Sequence, residues 1–298
     1  MTAIRKIGFI GVGNMGAPMA GHLVRAGFDV SMFDTRPEAV QAFVARYGGR
    51  AVMSLAEAGE GADAIITMLP DGKAVRKAVL GDGVAAVLER GALVIDMGTC
   101  DPTDTRALSV ELAPRGIGVI DAPVMGGVVF AKDATLDIMA AGDAAMVERA
   151  RPVFAALGRS VTYCGAVGSG HAMKALANYV NACALINAVE ALTIGKRFGL
   201  DPKVMAEALL PMCSGRNPPI EKKVIPHILT RKFATGMAMG FIAKDVKIAV
   251  DTAHAIGAAV PLGEKVAELW AAAAAKLGGE FDQTEIVRYW EEATGVRL

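Results

Sequence analysis

The chain has 298 residues, 53% of them hydrophobic, a length near two ordinary domains and an apolar content that excludes a disordered chain. Its 31 Lys plus Arg balance its 31 Asp plus Glu, which excludes the basic surface expected of a nucleic-acid binder. We find no signal-peptide pattern, no uninterrupted apolar run of about 18 residues and no Cys-x-x-Cys pair, and therefore expect a cytoplasmic protein without membrane contact or a disulfide framework.

Short β-branched runs alternate with amphipathic stretches in the first part of the chain. We predict strands at 6–10, 29–33, 64–68, 93–96, 119–121, 136–140 and 161–163. Helices are predicted between them at 15–25, 37–47, 102–113 and 144–157. Strands that alternate with helices are typical of a parallel, doubly wound α/β sheet, so residues 1–164 are predicted to form a Rossmann domain.

The pattern changes after Gly168-Ser169-Gly170, where helical periodicity takes over. We predict one helix at 171–198, about 40 Å long, and further helices at 203–210, 237–256, 264–277 and 284–293. Residues 165–298 are therefore predicted to form an all-α C-terminal domain with a long interdomain helix. Such a helix leaves apolar surface that one small domain cannot cover, so we expect a homodimer or homotetramer formed mainly through residues after 165.

A glycine-rich turn follows the first predicted strand and precedes the first helix. It reads Gly11-Val-Gly13-Asn-Met-Gly16 and fits the G-x-G-x-x-G pattern of dinucleotide-binding folds. Gly11 permits the tight turn, Gly13 allows close approach of a pyrophosphate, and Gly16 allows close packing of helix and strand. With the helix N-terminus as a phosphate site, we predict cofactor contacts from Gly11, Gly13, Asn14, Met15 and Gly16.

Asp34 closes the second predicted strand, 23 residues after Gly11, near the spacing at which an acid meets the adenosine ribose. A carboxylate at that place accepts hydrogen bonds from the ribose hydroxyls and repels a 2′-phosphate, so NAD is favoured over NADP. Two alternatives stay open. Arg36 is able to pair with a 2′-phosphate instead, and Asp34 is able to act as a plain helix cap ahead of Pro37.

Four blocks in fixed order give the chain a family resemblance. They are Gly11-x-Gly-Asn-Met-Gly16, Asp121-Ala-Pro-Val-x-Gly-Gly127, Gly168-x-Gly-His-x-x-Lys174-x-x-x-Asn178 and Lys244-Asp245. With them the chain resembles the β-hydroxyacid dehydrogenase family, typified by 3-hydroxyisobutyrate dehydrogenase and tartronate semialdehyde reductase. The resemblance implies a C-terminal domain like that of 6-phosphogluconate dehydrogenase. It also implies an oxidoreductase that interconverts a small 3-hydroxy acid and its semialdehyde with NAD.

The resemblance also implies roles for residues along the cofactor and substrate. Met68-Leu69-Pro70 and Thr99 line the cofactor, although Pro70 alone is able to end a strand and Thr99 to cap a helix. Gly126 and Gly127 hold the substrate carboxylate, and Met125 stands where relatives usually have serine. Lys244 reaches across the interdomain cleft toward cofactor and substrate, and a loop at 214–217 borders the substrate.

Lys174 is the candidate general acid/base. Oxidation of a hydroxyl requires removal of its proton, and an amine does this when its pKa falls from about 10.4 toward about 7–8. Asn178 follows four residues later, so both side chains lie on one helix face and are predicted to contact the same substrate oxygen. The resemblance assigns the lysine to proton transfer and the asparagine to substrate orientation.

Two other functions remain open at this stage. Met125 in place of serine is compatible with an imine reductase or an atypical-substrate dehydrogenase, although relatives that act on imines generally replace the lysine. A non-catalytic NAD(H)-binding module is the second alternative. His171 lies three residues before Lys174 and is a candidate to tune it electrostatically, whereas His22, His227 and His254 share no spacing with carboxylates or cysteines, so the sequence predicts no metal site.

Overall fold

The structure is a computed structural model that describes residues 3–81, 83–212, 219–255, 257 and 259–298. The predicted substrate loop at 214–217 lies outside the described residues. The chain forms two compact units, Met1–Lys174 and Ala175–Leu298.

A six-stranded parallel sheet organises the first unit. Its strands are β1 (Lys6–Ile10), β2 (Asp29–Phe33), β3 (Arg50–Ala51), β4 (Ala64–Thr67), β5 (Leu93–Asp96) and β6 (Gly118–Asp121). Their order is β3-β2-β1-β4-β5-β6, and every neighbouring pair is parallel. β4, β5 and β6 are buried along their whole length, which explains their near-continuous apolar sequences. The predicted doubly wound α/β fold is confirmed.

Helices connect the strands of the first unit. They are α1 (Gly16–Arg25), α2 (Pro37–Tyr47), α3 (Leu55–Gly59), α4 (Gly72–Arg76) with a following π turn (Lys77–Gly81), α5 (Val84–Val87), α6 (Pro102–Leu112), α7 (Gly127–Lys132) and α8 (Ala144–Ala155). Proline at the first turn starts α2 and α6, and the Asp101 and Asp143 side chains cap the main-chain N–H groups of α6 and α8. The short helices α3, α4, α5 and α7 were not predicted, because each has too few residues to show helical periodicity.

The strands predicted at 136–140 and 161–163 belong to a separate small sheet. It contains β7 (Val124–Met125), β8 (Leu136–Ala140) and β9 (Gly158–Tyr163). β7 pairs with β8 antiparallel, and β8 pairs with β9 parallel. Gly126 and Gly127 follow β7 with φ of 120° and 72°, a left-handed backbone that favours glycine. β7 lies ahead of these glycines and already belongs to the second sheet, and the chain reverses direction between β7 and β8.

The second unit is helical, as predicted. Its elements are most of α9 (Ser169–Phe198), α10 (Pro202–Met212), a π-helical segment (Ile220–Ile228), α11 (Met239–Ala255), α12 (Pro261–Leu277), a 3₁₀ turn (Gln283–Ile286) and α13 (Val287–Thr294). Trp270 is fully buried in its apolar core together with residues such as Leu185, Leu192 and Val246. The π-helical segment was not predicted, because Pro226 in its interior marks a helix break in the sequence.

By length and composition alone, helix α9 could cross a membrane, because an 18-residue stretch of it has a mean hydropathy of 1.2. However, 47% of that stretch is buried inside the protein, and core helices of soluble proteins are often as long and as apolar. One such helix is a weak indication, so the absence of membrane contact stays a prediction.

Candidate active site

The predicted site residues of the first unit follow the carboxyl ends of neighbouring strands. Ile10 of β1 is in register with Phe33 of β2 and Thr67 of β4. Thr67 is in register with Asp96 of β5, and Asp96 with Asp121 of β6. Doubly wound folds place their ligand at this edge of the sheet. The residues that follow these strand ends and were predicted to bind are Gly11, Gly13, Asn14, Met15, Gly16, Asp34, Met68, Leu69, Pro70 and Thr99.

The glycine-rich turn has the geometry that a dinucleotide requires. Gly11 has φ of 99°, and a Cβ on it would lie 2.5 Å from the carbonyl oxygen of Met68. A Cβ on Gly16 would clash with the carbonyl oxygen of Gly11, because α1 starts directly against the turn. A Cβ on Gly13 would have only the end of the Arg36 side chain near it, at 3.9 Å. The open space beside Gly13 fits the diphosphate of NAD.

Asp34 is held by the turn on one side and by an arginine on the other. Its carboxylate accepts hydrogen bonds from the Val12 N–H at 3.0 Å and the Arg36 N–H at 3.0 Å. The Arg36 guanidinium, 58% exposed, lies 3.1 Å away and completes an ion pair. Burial raises the pKa of Asp34, but the hydrogen bonds from Arg36 and Val12 outweigh it, so the pKa lies below its ordinary value. Asp34 is therefore an ionised hydrogen-bond acceptor at neutral pH.

Lys174 is a buried lysine in the first two turns of α9. Only 6% of the residue is exposed, and its Nζ lies 2.8 Å from Sδ of Met125, at the end of β7. A thioether is a weak acceptor for an ammonium group. Gly126, which follows Met125, is exposed. The structure thus brings three of the predicted substrate-site residues, Lys174, Met125 and Gly126, to one place in the first unit, with Gly127 next in the chain.

In the helical unit, Asn178 and Asp245 form a buried pair. The Asn178 Nδ2 donates a hydrogen bond of 2.6 Å to Oδ2 of Asp245, which lies on α11. Lys244 Nζ is 3.0 Å from the other carboxylate oxygen, Oδ1. The contact between Lys244 and Asp245 is an ion pair. A carboxylate only accepts, so this contact fixes the orientation of the Asn178 amide.

Asp96, Asp121 and His171 form a buried polar cluster that was not predicted as part of the site. Asp96 accepts from the Thr67 hydroxyl at 2.9 Å and from the Gly98 N–H at 3.1 Å. Asp121 accepts the N–H groups of Gly168 at 2.8 Å and His171 at 2.9 Å. The Asp121 contacts anchor the start of α9 to the end of β6. An Asp at the last position of two successive predicted strands was the available signal for this cluster.

Asp245 is a second residue that was not predicted as functional, although it belongs to the Lys244-Asp245 block that carried the resemblance. Its contact with Asn178 joins positions 67 residues apart in the chain. Sequence periodicity gives no information about such pairs.

Both halves of the chain match models of known protein families. Residues 6–165 match the family model described as the NAD binding domain of 6-phosphogluconate dehydrogenase. Residues 168–290 match the model described as NAD-binding of NADP-dependent 3-hydroxyisobutyrate dehydrogenase.

Similar proteins align over nearly the whole chain. The NAD-dependent L-serine dehydrogenase of Pseudomonas aeruginosa is 36% identical, over 90% of this chain and 91% of the relative. The mitochondrial 3-hydroxyisobutyrate dehydrogenase of Bos taurus is 34% identical, over 98% of this chain and 88% of the relative. The structure of Mycobacterium tuberculosis 3-hydroxyisobutyrate dehydrogenase with L-serine has a TM-score of 0.89 at 33% identity, covering 96% of this chain and 99% of that one.

These matches confirm the resemblance read from the four sequence blocks. The glycine-rich turn and Asp34 lie within the residues that match the first model, and most of the helical unit lies within those that match the second. The chain therefore belongs to the β-hydroxyacid dehydrogenase family, and its activity is hydride transfer between a nicotinamide dinucleotide, NAD or NADP, and a small 3-hydroxy acid.

Proposed function

We propose that Lys174 is the general acid/base of this reaction. The observation that carries the proposal is that Lys174 is buried and that its Nζ lies 2.8 Å from the thioether of Met125, at the end of β7. Because a thioether is a weak acceptor, a substrate hydroxyl is able to displace it and accept a hydrogen bond from Nζ. In its neutral form the amine takes the hydroxyl proton, and in its charged form it returns a proton to the carbonyl oxygen.

The other site residues bind and orient the substrate. When NAD is bound, its nicotinamide ring accepts the hydride that leaves the substrate carbon. Asn178 orients the substrate oxygen with an amide that Asp245 holds in one orientation. Main-chain N–H groups of Gly126 and Gly127 bind the anionic end of the substrate, and Lys244 contributes a positive charge to cofactor and substrate binding.

NAD is the preferred cofactor in this proposal. Asp34 is an ionised carboxylate with a lowered pKa, which suits ribose hydroxyls and repels a 2′-phosphate. Arg36 neutralises part of that charge and is itself occupied by the ion pair with Asp34. NADP is therefore used less efficiently, because the phosphate would have to displace Asp34 from Arg36.

Residues 1–164 act as the NAD-binding domain in this proposal, and residues 165–298 as the domain for substrate binding and oligomerisation, in a cytoplasmic homo-oligomer. Met173, Leu176 and Val180 support the oligomer, because they recur at helical spacing on α9 and are 46%, 51% and 64% exposed. Sedimentation equilibrium at micromolar concentration tests this part. A monomer there would remove the oligomer from the proposal.

The decisive experiment measures NADH formation for wild type and Lys174→Ala. The substrate panel contains 3-hydroxyisobutyrate, 3-hydroxypropionate, L-serine, glycerate, threonate and hydroxylated sulfonates, each with NAD and with NADP. We expect turnover of one class of small anionic hydroxy acid, lost in the variant while NADH binding persists. Retained turnover in Lys174→Ala would contradict the role of the lysine.

The same assay distinguishes the alternatives. Reduction of cyclic imines without oxidation of any hydroxy acid would favour an imine reductase, the alternative suggested by Met125 in place of serine. Tight NADH binding without turnover of either class would favour a binding module.

A further inference from the structure

Three different metal-binding chemistries meet inside the first unit. Asp96 ends β5, Cys100 follows four residues later, and His171 lies in the first turn of α9. One carboxylate oxygen, the thiol sulfur and one ring nitrogen all lie within 4.8 Å of one another. The three residues are 2%, 1% and 0% exposed. Carboxylate, thiolate and imidazole together form a ligand set suited to a divalent ion of the zinc type.

The hydrogen bonds of His171 leave one ring nitrogen directed into this cluster. The Thr105 hydroxyl donates its proton to the main-chain oxygen of Asp101 at 3.2 Å, and the same Oγ1 lies 2.8 Å from His171 Nδ1. In the tautomer in which Thr105 accepts from Nδ1–H, Nε2 carries a lone pair. Nε2 has no hydrogen-bond partner among the described residues and lies 3.6 Å from Oδ2 of Asp96.

With a lone pair on Nε2, this nitrogen and the Asp96 carboxylate are two electron-rich groups that face each other inside the protein, and a positive charge between them would stabilise both. The second carboxylate of the cluster adds to this effect, because Oδ2 of Asp121 lies 4.0 Å from Nδ1 of the same ring. The Thr67 hydroxyl and the main-chain N–H groups of Gly98, Gly168 and His171 donate hydrogen bonds to the two carboxylates, and these donors carry no charge.

The separation of the two atoms favours a metal ion over a shared proton. A charge-assisted hydrogen bond between Nε2 and a carboxylate would bring them to about 2.8 Å. Two ligands at about 2.0–2.1 Å on a tetrahedral zinc ion lie about 3.4 Å apart. The observed 3.6 Å is close to the second value. The contact of Thr105 with Nδ1 resembles the outer hydrogen bond that normally orients a metal-binding histidine.

We propose that Asp96 Oδ2, Cys100 Sγ and His171 Nε2 form a buried site for a zinc-type divalent ion, with water in the fourth position. The ion links the end of β5 to the first turn of α9, three residues before Lys174. Its role is structural, since it holds the helix that carries the catalytic lysine. Sequence spacing gave no hint of the site, because His171 is remote from Asp96 and Cys100 in the chain.

The test begins with the metal content of the untagged full-length protein by inductively coupled plasma mass spectrometry. After desalting we expect about one zinc ion per chain. Replacement by Co²⁺ should give a thiolate-to-cobalt charge-transfer band in the near ultraviolet, which reports Cys100 directly. Cys100→Ser and His171→Gln should lose the band and most of the metal. Thr105→Val should weaken metal affinity by about 10- to 100-fold.

Cys164→Ser is the matched control, because Cys164 is a second cysteine of the same unit that lies outside the cluster. This variant should keep the metal and the cobalt band. If a cluster variant fails to fold, the zinc content and the cobalt spectrum of the wild-type protein still decide the question. Wild-type protein without zinc and without a cobalt band would overturn the proposal, as would equal metal content in His171→Gln. Neither readout depends on turnover.

Discussion

The two units of this protein treat their buried carboxylates differently. In the first unit, Asp96 and Asp121 accept hydrogen bonds from a hydroxyl and from main-chain N–H groups. In the helical unit, Asp245 has a lysine as its neighbour, with Lys244 Nζ 3.0 Å from one oxygen and the Asn178 amide on the other. The helical unit thus supplies a cationic side chain, whereas the first unit relies on polar groups at strand and helix ends.

The difference reflects the two architectures. A parallel sheet and the helix starts that follow it offer N–H groups at one edge, and these stabilise an anion without a charged side chain. A helix surface has its N–H groups satisfied internally, so a buried acid there requires side-chain partners. Asp96 and Asp121 accept from uncharged donors, so their negative charge is available to a bound cation or to a cationic catalytic group. The charge of Asp245 is balanced by Lys244.

The largest effect should come from changing the cationic group of the strand-end site. Lys174→Arg retains a positive charge but cannot act as a base, because a guanidinium stays protonated. We expect kcat to fall by about 10²- to 10⁴-fold, as in Lys174→Ala, with NADH affinity retained. Steady-state kinetics and NADH fluorescence titration of both variants measure this. Recovery of kcat in the arginine variant would mean that the lysine acts by charge alone.

Asp34 tests whether the partly exposed acid of the first unit serves the cofactor. In Asp34→Ala the ribose hydroxyls lose an ionised acceptor, so kcat/KM for NAD should fall by about 10- to 100-fold. Release of Arg36 from its ion pair should at the same time raise kcat/KM for NADP. Arg36→Ala is the matched control and should leave the use of NAD nearly unchanged. An unaltered NAD to NADP ratio in Asp34→Ala would refute the assignment.

Much of the fold follows from local sequence. Strands 6–10, 29–33, 93–96 and 136–140 are predicted with the bounds that the structure shows, because β-branched runs end at turn residues. The pairing of the last of these strands was not predictable. β8 joins a separate sheet because its partners are β7 and β9 rather than β6, and local sequence does not specify such long-range pairing.

The site divides in the same way. The glycine-rich turn, Asp34 and Lys174 were predicted because each has a local motif that its chemistry requires. The partners of those residues were not, since the contacts of Asp245 with Asn178 and of His171 with Asp96 join residues from distant parts of the chain. The thioether contact of Lys174 has the same origin, because Met125 is 49 positions away.

Removing the charge of Asp245 breaks the charge balance of the helical unit. Asp245→Asn keeps the shape but replaces the charge-assisted acceptor of Asn178, so we expect a loss of about 1–3 kcal/mol in the free energy of unfolding. Lower kcat is expected as well, because Asn178 is no longer held in one orientation. Asp251→Asn is the control on the same helix, since Asp251 pairs with Lys247 at the surface and should change stability by less than about 0.5 kcal/mol. Equal effects of the two variants would contradict the importance of burial.

The smallest effect concerns a cation that the helical unit itself buries. Lys223 Nζ donates to Gln283 Oε1 at 2.7 Å, and burial lowers the pKa of Lys223 to about 8 although the charge of Asp282 opposes the shift. Between pH 8 and the ordinary pKa of 10.5, the unfolded chain binds this proton and the folded chain does not, so stability rises with pH.

We therefore expect the free energy of unfolding of wild type to increase by about 1 kcal/mol from pH 7.5 to pH 9 relative to Lys223→Met, measured by urea denaturation. Lys222→Met removes the exposed neighbouring charge and should follow the wild-type profile. Parallel profiles for wild type and Lys223→Met would show that Lys223 is charged in the folded protein. In that case the charge of Asp282 compensates for the burial of Lys223, and the helical unit contains a second pair of opposite charges besides Lys244 and Asp245.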